Sequence, residues 1–186
     1  MLNRCFIALG LAPEPGPSLD AGLQRLRNFG ELSVPPPENL HVTLAFLGEL
    51  NGADVSGAAD ATRAAARASS GSWTVAWGGA GAFPSRRRPR VVWLGLADPA
   101  TTTNVQGLLI AELRQRGLPV DERPFRPHLT LARVRSELTR EKADDLEASL
   151  AALVPPLPAS VVALVLYRSK QGRGPAVYEQ LERASL

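Results

Sequence analysis

Two stretches hold the only two histidines in this sequence of 186 residues, HVTLAFLG at 41–48 and PHLTLARV at 127–134. In both, the phrase is His-x-Thr-Leu. Along a β-strand, residues i and i+2 face the same side. His41 therefore shares a face with Thr43, and His128 with Thr130, while Val42, Leu44, Leu129 and Leu131 turn to apolar packing. Two imidazoles on opposite walls of a groove suit general acid–base chemistry. Their ordinary pKa, about 6.5, lets one take a proton from a nucleophile while the other gives one to a leaving group. Threonine hydroxyls can donate to the non-bridging oxygens of a phosphate held between them. This set fits in-line attack on a phosphodiester with no metal and no cofactor. A zinc site is not expected, because two histidines and Cys5 fall short of the usual ligand count.

The elements that must position these groups follow from periodicity and breakers. Cys5–Leu9 is an apolar run closed by LAPEPGP and reads as a strand. Ser18 reads as the cap of a helix carrying Leu19, Leu23, Leu26 and Phe29, with Gly30 past its end. PPPEN forces an extended connection into the strand HVTLAFLG. A helix over Asp54–Ala68, the strand SWTVAW, the basic loop GAFPSRRRPR and the strand VVWLGL come next. Thr101–Arg116 is a helix, HLTLARV a strand, and Thr139–Leu153 a helix stopped by VPPLP. The strand SVVALVLY, the loop RSKQGRGP and a short strand near Val177–Leu181 close the chain. The order strand, helix, His-x-Thr strand, helix, strand occurs twice. An α+β fold of two similar βαβαβ-type lobes, related by a pseudo-two-fold axis with a groove between their sheets, accounts for this.

Composition bounds the rest. With 45% hydrophobic and 21% charged residues, the chain has a globular rather than a disordered composition. The formal charge is +3 and the sequence pI is near 9.6, compatible with a polyanionic partner. The single cysteine, Cys5, excludes an intramolecular disulfide and reads as a small buried hydrophobe. No stretch has the length of a membrane span or the pattern of a signal peptide, so a cytoplasmic protein without a membrane partner is expected. No protein partner is implied, and a monomer is expected. No Walker A loop is present, which disfavours an ATP-driven ligase.

The doubled phrase resembles the 2H phosphoesterase superfamily. The flanks RCFIALGL, GAFPSRRRPRVVWLGL, FRPHLTLARV and LYRSKQGRGPAVYEQL narrow the resemblance to the RNA 2′,3′-cyclic phosphodiesterase family, also called the 2′-5′ RNA ligase family. The resemblance covers nearly the whole chain and implies one bilobal domain over 1–186 with the active site between the lobes. It implies opening of an RNA terminal 2′,3′-cyclic phosphate by water, leaving a 2′-phosphate, and in some members 2′-5′ joining of RNA ends. It further implies His41 as proton donor to the leaving 3′ oxygen, His128 as the base that activates water, and Thr43 and Thr130 as phosphate-gripping hydroxyls. The symmetry of the two phrases does not itself separate acid from base.

Residues of second rank surround these. Arg133 lies where such proteins often carry arginine, yet strict alternation sends it to the face opposite His128 unless the strand twists or bulges. Ser85–Arg90 is a basic loop suited to phosphate-backbone contact. Phe83 and Phe125 are candidates to stack a terminal base, with a core role the alternative for each. Arg168, Ser169 and Lys170 are candidates for the groove edge. Two other functions compete with the RNA-end enzyme. One is a non-catalytic RNA-binding module, and the other is a 2H phosphodiesterase acting on a small cyclic nucleotide.

Overall fold

The computed structural model describes residues 3–170 and 176–186. Its first strand, β1 (Asn3–Ala12), contains the apolar run from Cys5 to Leu9, every residue of it buried. A strand buried on both faces needs a partner on each edge, since its backbone amides and carbonyls have no water to bond. One edge pairs antiparallel with β3 (Thr43–Leu50), the other with β8 (Ala159–Lys170). The other edge of β8 carries β4 (Trp73–Val75) at one end and β9 (Val177–Ser185) along most of its length. The second sheet has the order β2 (Leu32–Ser33), β7 (His128–Val134), β6 (Arg88–Leu96), β5 (Trp77–Ser85), all antiparallel.

Helices cover one face of each sheet. α2 (Gly52–Ala68) and α3 (Ala100–Gln115) pack together, α2 lying on β8 and β9 and α3 on β3. Asn51 caps α2 by accepting from the Asp54 amide at 2.9 Å. The buried face of α2 is Ala58, Ala61, Ala65 and Ala66, small enough for a neighbouring helix to come close. α1 (Gly16–Arg27) and α4 (Arg140–Ala151) cover the second sheet, α1 against β2 and α4 against β5.

The two-lobed α+β architecture is therefore present, but the lobes are not the two halves of the sequence. The first sheet takes β1 and β3 from one end of the chain, β8 and β9 from the other and the short β4 from the middle, and the second takes β2, β5, β6 and β7. The reason lies in β1. Its second edge is satisfied by β8, the other long apolar strand, so the C-terminal segment must return to the N-terminal lobe.

Local departures from the sequence reading have similar causes. SWTVAW is two strands, not one: the chain passes from the first sheet to the second at Ala76, so Trp73 pairs with Val161 and Trp77 with Leu96. GAFPSRRRPR is mostly strand, forming the end of the β5–β6 hairpin with a turn at Arg86 and Arg87. Proline is tolerated there because β5 is an edge strand and Pro89 lies beside an unopposed Arg90. Ser18 does not cap α1. The helix begins two residues earlier, with Pro17 in its first turn where no amide partner is needed. Gly16 is required there, since a Cβ would stand 2.3 Å from the Pro37 carbonyl oxygen. The last strand reaches Ser185 rather than Leu181. In the tail, Arg168 to Lys170 belong to β8, and the remainder of the expected loop RSKQGRGP lies outside the described residues.

Candidate active site

The two His-x-Thr phrases meet. β3 is the edge strand of its sheet, the first half of β7 is free of β2, and a single antiparallel bridge joins Val42 to Leu129. Val42 is also tied back to β1, its carbonyl accepting from the Leu9 amide at 3.0 Å. Both bridge residues are fully buried. Extended from this bridge, antiparallel register sets His41 opposite Thr130 and Thr43 opposite His128, all four on the face away from the apolar pair. The two histidines then stand on a diagonal with about 7–8 Å between their positions, room for one phosphate.

The likeness extends further than the shared four letters. Residues 41–46 and 128–133 show the same burial order: half-buried, buried, half-buried, buried, buried, exposed. In both strands the consecutive buried residues coincide with a bulge. Ala8 pairs with Thr43 and Ile7 with Ala45, leaving Leu44 unopposed; Trp93 pairs with Thr130 and Val92 with Ala132, leaving Leu131 unopposed. A bulge shifts the alternation by one residue. Phe46 and Arg133 are thereby turned to the same face as the histidines, and both line the groove. Arg133, which simple alternation sends to the far side, is in the site because β7 bulges.

Each imidazole is held in one orientation by a carbonyl two residues before it. His41 Nδ1 lies 2.7 Å from the Asn39 carbonyl oxygen, and His128 Nδ1 lies 2.6 Å from that of Arg126. A carbonyl only accepts, so Nδ1 carries the hydrogen and Nε2 is the nitrogen left for chemistry in both rings. The Asn39 side chain donates to the Ala176 carbonyl at 2.6 Å, which ties the turn before His41 to the start of β9. Aromatic rings fix the imidazole planes. Phe6 stacks on His41 at 4.7 Å and 26°, and Tyr178 meets its edge at 5.2 Å and 86°. Phe83 meets His128 edge-on at 5.2 Å and 82°, backed by Trp93.

Burial pushes both imidazoles below their ordinary pKa, opposed by the carbonyl bond at Nδ1 and reinforced by the Arg133 guanidinium. For His41 the charge of His128 adds to the same direction. The Arg133 charge also acts on Tyr178, whose hydroxyl is pushed up by burial. Arg133 is thus electrostatically close to both histidines. The groove encloses about 870 Å³, within the range of ligand sites, and is lined by His41, Thr43, Thr130 and Arg133, with His128 outside its lining. Two Nε2 atoms, two hydroxyls and one guanidinium on one face can hold an anion and move protons on either side of it.

The other candidates divide. Phe125 packs against the core, whereas Phe83 belongs to the histidine surroundings. In the basic segment, Arg86 pairs with Glu147 of α4, and Arg87, Arg88 and Arg90 are exposed. Ser169 lines the groove, while Arg168 and Lys170 pair with Glu179. Cys5 is buried in the core with its thiol pKa raised by burial, as a structural cysteine should be. Sequence reasoning missed Phe6, Phe46, Tyr178 and Trp93. The one available signal was position: Phe46 follows Thr43 by the same interval that separates Arg133 from Thr130. Among the described residues, no three His, Cys, Asp or Glu side chains converge as a metal cluster would require, and no helix is long and apolar enough to cross a membrane.

Comparison with known proteins identifies the family. A family model described as the 2'-5' RNA ligase superfamily matches residues 15–173. A protein of Methanothermobacter thermautotrophicus named RNA 2',3'-cyclic phosphodiesterase is 36% identical over 114 residues, 61% of this chain and 61% of that protein's length. One of the same name from Escherichia coli is 32% identical over 80% of this chain and 77% of its own. The crystal structure of E. coli LigT complexed with 3'-AMP superposes with a TM-score of 0.75 at 27% identity, covering 100% of this chain and 99% of that one. The chain belongs to the 2'-5' RNA ligase superfamily, and the curated relatives it matches are hydrolases named RNA 2',3'-cyclic phosphodiesterase.

Proposed function

We propose that this protein hydrolyses the terminal 2′,3′-cyclic phosphate of RNA to a 2′-phosphate, without a metal, the whole chain acting as one bilobal unit. The observation that supports this reading is the Val42–Leu129 bridge, which joins the two His-x-Thr phrases. The names of the relatives support the choice of substrate.

In this reading Thr43 and Thr130 donate to the two non-bridging oxygens, and Arg133 balances the charge that grows on them. His128 Nε2 takes a proton from water as its oxygen bonds to phosphorus. His41 Nε2–H protonates the 3′ oxygen as the P–O3′ bond breaks. The 2′ ester remains, and a second proton exchange with solvent restores both rings. The assignment of acid and base follows the family resemblance. The carbonyl bonds at Nδ1 support either direction, since both leave Nε2 facing substrate.

The test uses a short RNA ending in 2′,3′-cyclic phosphate, incubated with excess EDTA. A 2′-phosphate product at an undiminished rate is expected. A 3′-phosphate product, or activity that collapses in EDTA and returns with Mn²⁺ or Zn²⁺, would sink the mechanism.

The pH dependence follows from the direction of the shifts. The reactive form has one imidazole charged and the other neutral, so kcat/KM is bell-shaped with its maximum between the two values. Both lie below the ordinary histidine value. The maximum should therefore fall on the acid side of about pH 6.5, and activity should decline as rising pH leaves both rings neutral. A maximum near pH 8 in the kcat/KM profile would contradict the buried environment described above.

A further inference from the structure

Beyond the scissile phosphate, the groove is built for more anion than a cyclic phosphate supplies. Three guanidinium groups line it, those of Arg133, Arg135 and Arg4, and among the described residues no aspartate or glutamate does. A 2′,3′-cyclic phosphate carries one negative charge, and Arg133 stands beside the histidines to meet it. Arg4 and Arg135 are exposed at this groove with no carboxylate among its lining residues, and like charges gathered there favour an anion between them.

Their positions form a second tier. Arg4 and Phe6 lie two residues apart on β1, on one face and about 7 Å apart along the strand. Because Phe6 stacks on His41, Arg4 stands one such step outward on that wall. On the opposite wall Arg135 lies two residues beyond Arg133, just past the end of β7, and also lines the groove. Neutral donors accompany them: Ser169 is opposite Arg4 in the β1–β8 ladder, Ser33 is opposite Arg133, and both line the groove. Arg4 has no ion pair among the described residues. Glu49, its ladder neighbour on β3, does not line the groove. The Arg135 guanidinium donates to the carbonyls of Gly30 and Leu32 at 3.4 and 3.3 Å, which fixes the side chain without neutralising it. The nearby carboxylate of Glu31 is committed to Lys142.

We propose that Arg4 and Arg135 form a second phosphate site, which takes the phosphodiester on the 5′ side of the terminal nucleotide. This rests on the reading of the histidine site given above. It makes the enzyme selective for the end of a chain over a lone cyclic nucleotide.

Three substrates test it: a nucleoside 2′,3′-cyclic phosphate, its 5′-phosphorylated form, and a dinucleotide with the same cyclic end. For the wild type, kcat/KM should rise about tenfold or more from the first to each of the others, the order of one charge-assisted hydrogen bond. In an Arg4→Gln/Arg135→Gln double variant the three should come within about threefold of one another, with the unphosphorylated nucleoside unchanged. A preference that survives the double variant overturns the proposal. So does an equal fall on all three substrates, or a gain from a free 5′-phosphate that the dinucleotide does not share. Absence of turnover on all three would instead overturn the reading of the histidine site. The second phosphate site is then read by equilibrium binding of nucleoside 2′-phosphates with and without a 5′-phosphate. The double variant must abolish the difference there, and a difference that persists overturns the proposal.

Discussion

Replacing His128 with alanine should lower kcat/KM on a cyclic phosphate end by about 10²–10⁴-fold, and replacing His41 should do the same. In the proposed mechanism each variant lacks one of two proton transfers made together. The double variant should therefore fall little further than either single one, as groups that act as a unit do. The two singles differ in stability rather than rate. His41 sits between Phe6 and Tyr178, so its removal forfeits about 0.5–1.5 kcal/mol of ring contact and opens a gap between the rings. His128 has Phe83 edge-on at 5.2 Å and Trp93 farther off at 6.5 Å, with no stacked ring, and is less enclosed. Its alanine variant should melt closer to the wild type. Single-turnover rates with thermal unfolding separate the two effects. Retention of activity within tenfold in either alanine variant would remove that histidine from the mechanism.

Arg133→Ala should cost about 10²–10³-fold in kcat/KM, the size of effect seen when one preorganised charge-stabilising donor is lost. Arg133→Lys should recover little of it, because an ammonium cannot make two parallel bonds to phosphate oxygens. A second readout distinguishes a charge acting at the site from a structural arginine. The Arg133 charge lowers both imidazoles, so in Arg133→Gln both values rise and the maximum of the pH profile moves to higher pH. A lower rate with an unmoved profile would mean that Arg133 acts by packing alone.

Arg133 also shows where reading the sequence stops. The histidines and threonines were legible because their chemistry is rare in this chain and their spacing is local: a period of two places them wherever the strand goes. The face of Arg133 depends on which residue of β6 opposes Leu131, and none does. That is a fact about a partner strand some forty residues earlier. The same holds for SWTVAW, where neither glycine nor proline marks the change of sheet at Ala76. Most of the aromatic surroundings were illegible for a similar reason, since Phe6, Trp93 and Tyr178 come from β1, β6 and β9. The fold class was legible from the alternation of strand and helix patterns. The interleaving of the lobes was not, because the partner of β1 is chosen by the need to cover a buried edge and not by any nearby residue.

That interleaving has a consequence on the ribosome. β1 can pair with β3 within a short stretch of synthesis, but its other edge waits for β8, about 150 residues later. At roughly 5–20 residues per second this is an interval of about 7–30 s. Throughout it a strand whose centre is apolar on both faces has an open row of amides and carbonyls, the template on which chains add to one another. The first sheet's wall of the groove is incomplete in that interval, since β8 and β9 carry Ser169 and Tyr178. The nascent chain is at its most adhesive while it is still without activity, and the last strands to emerge end both conditions together.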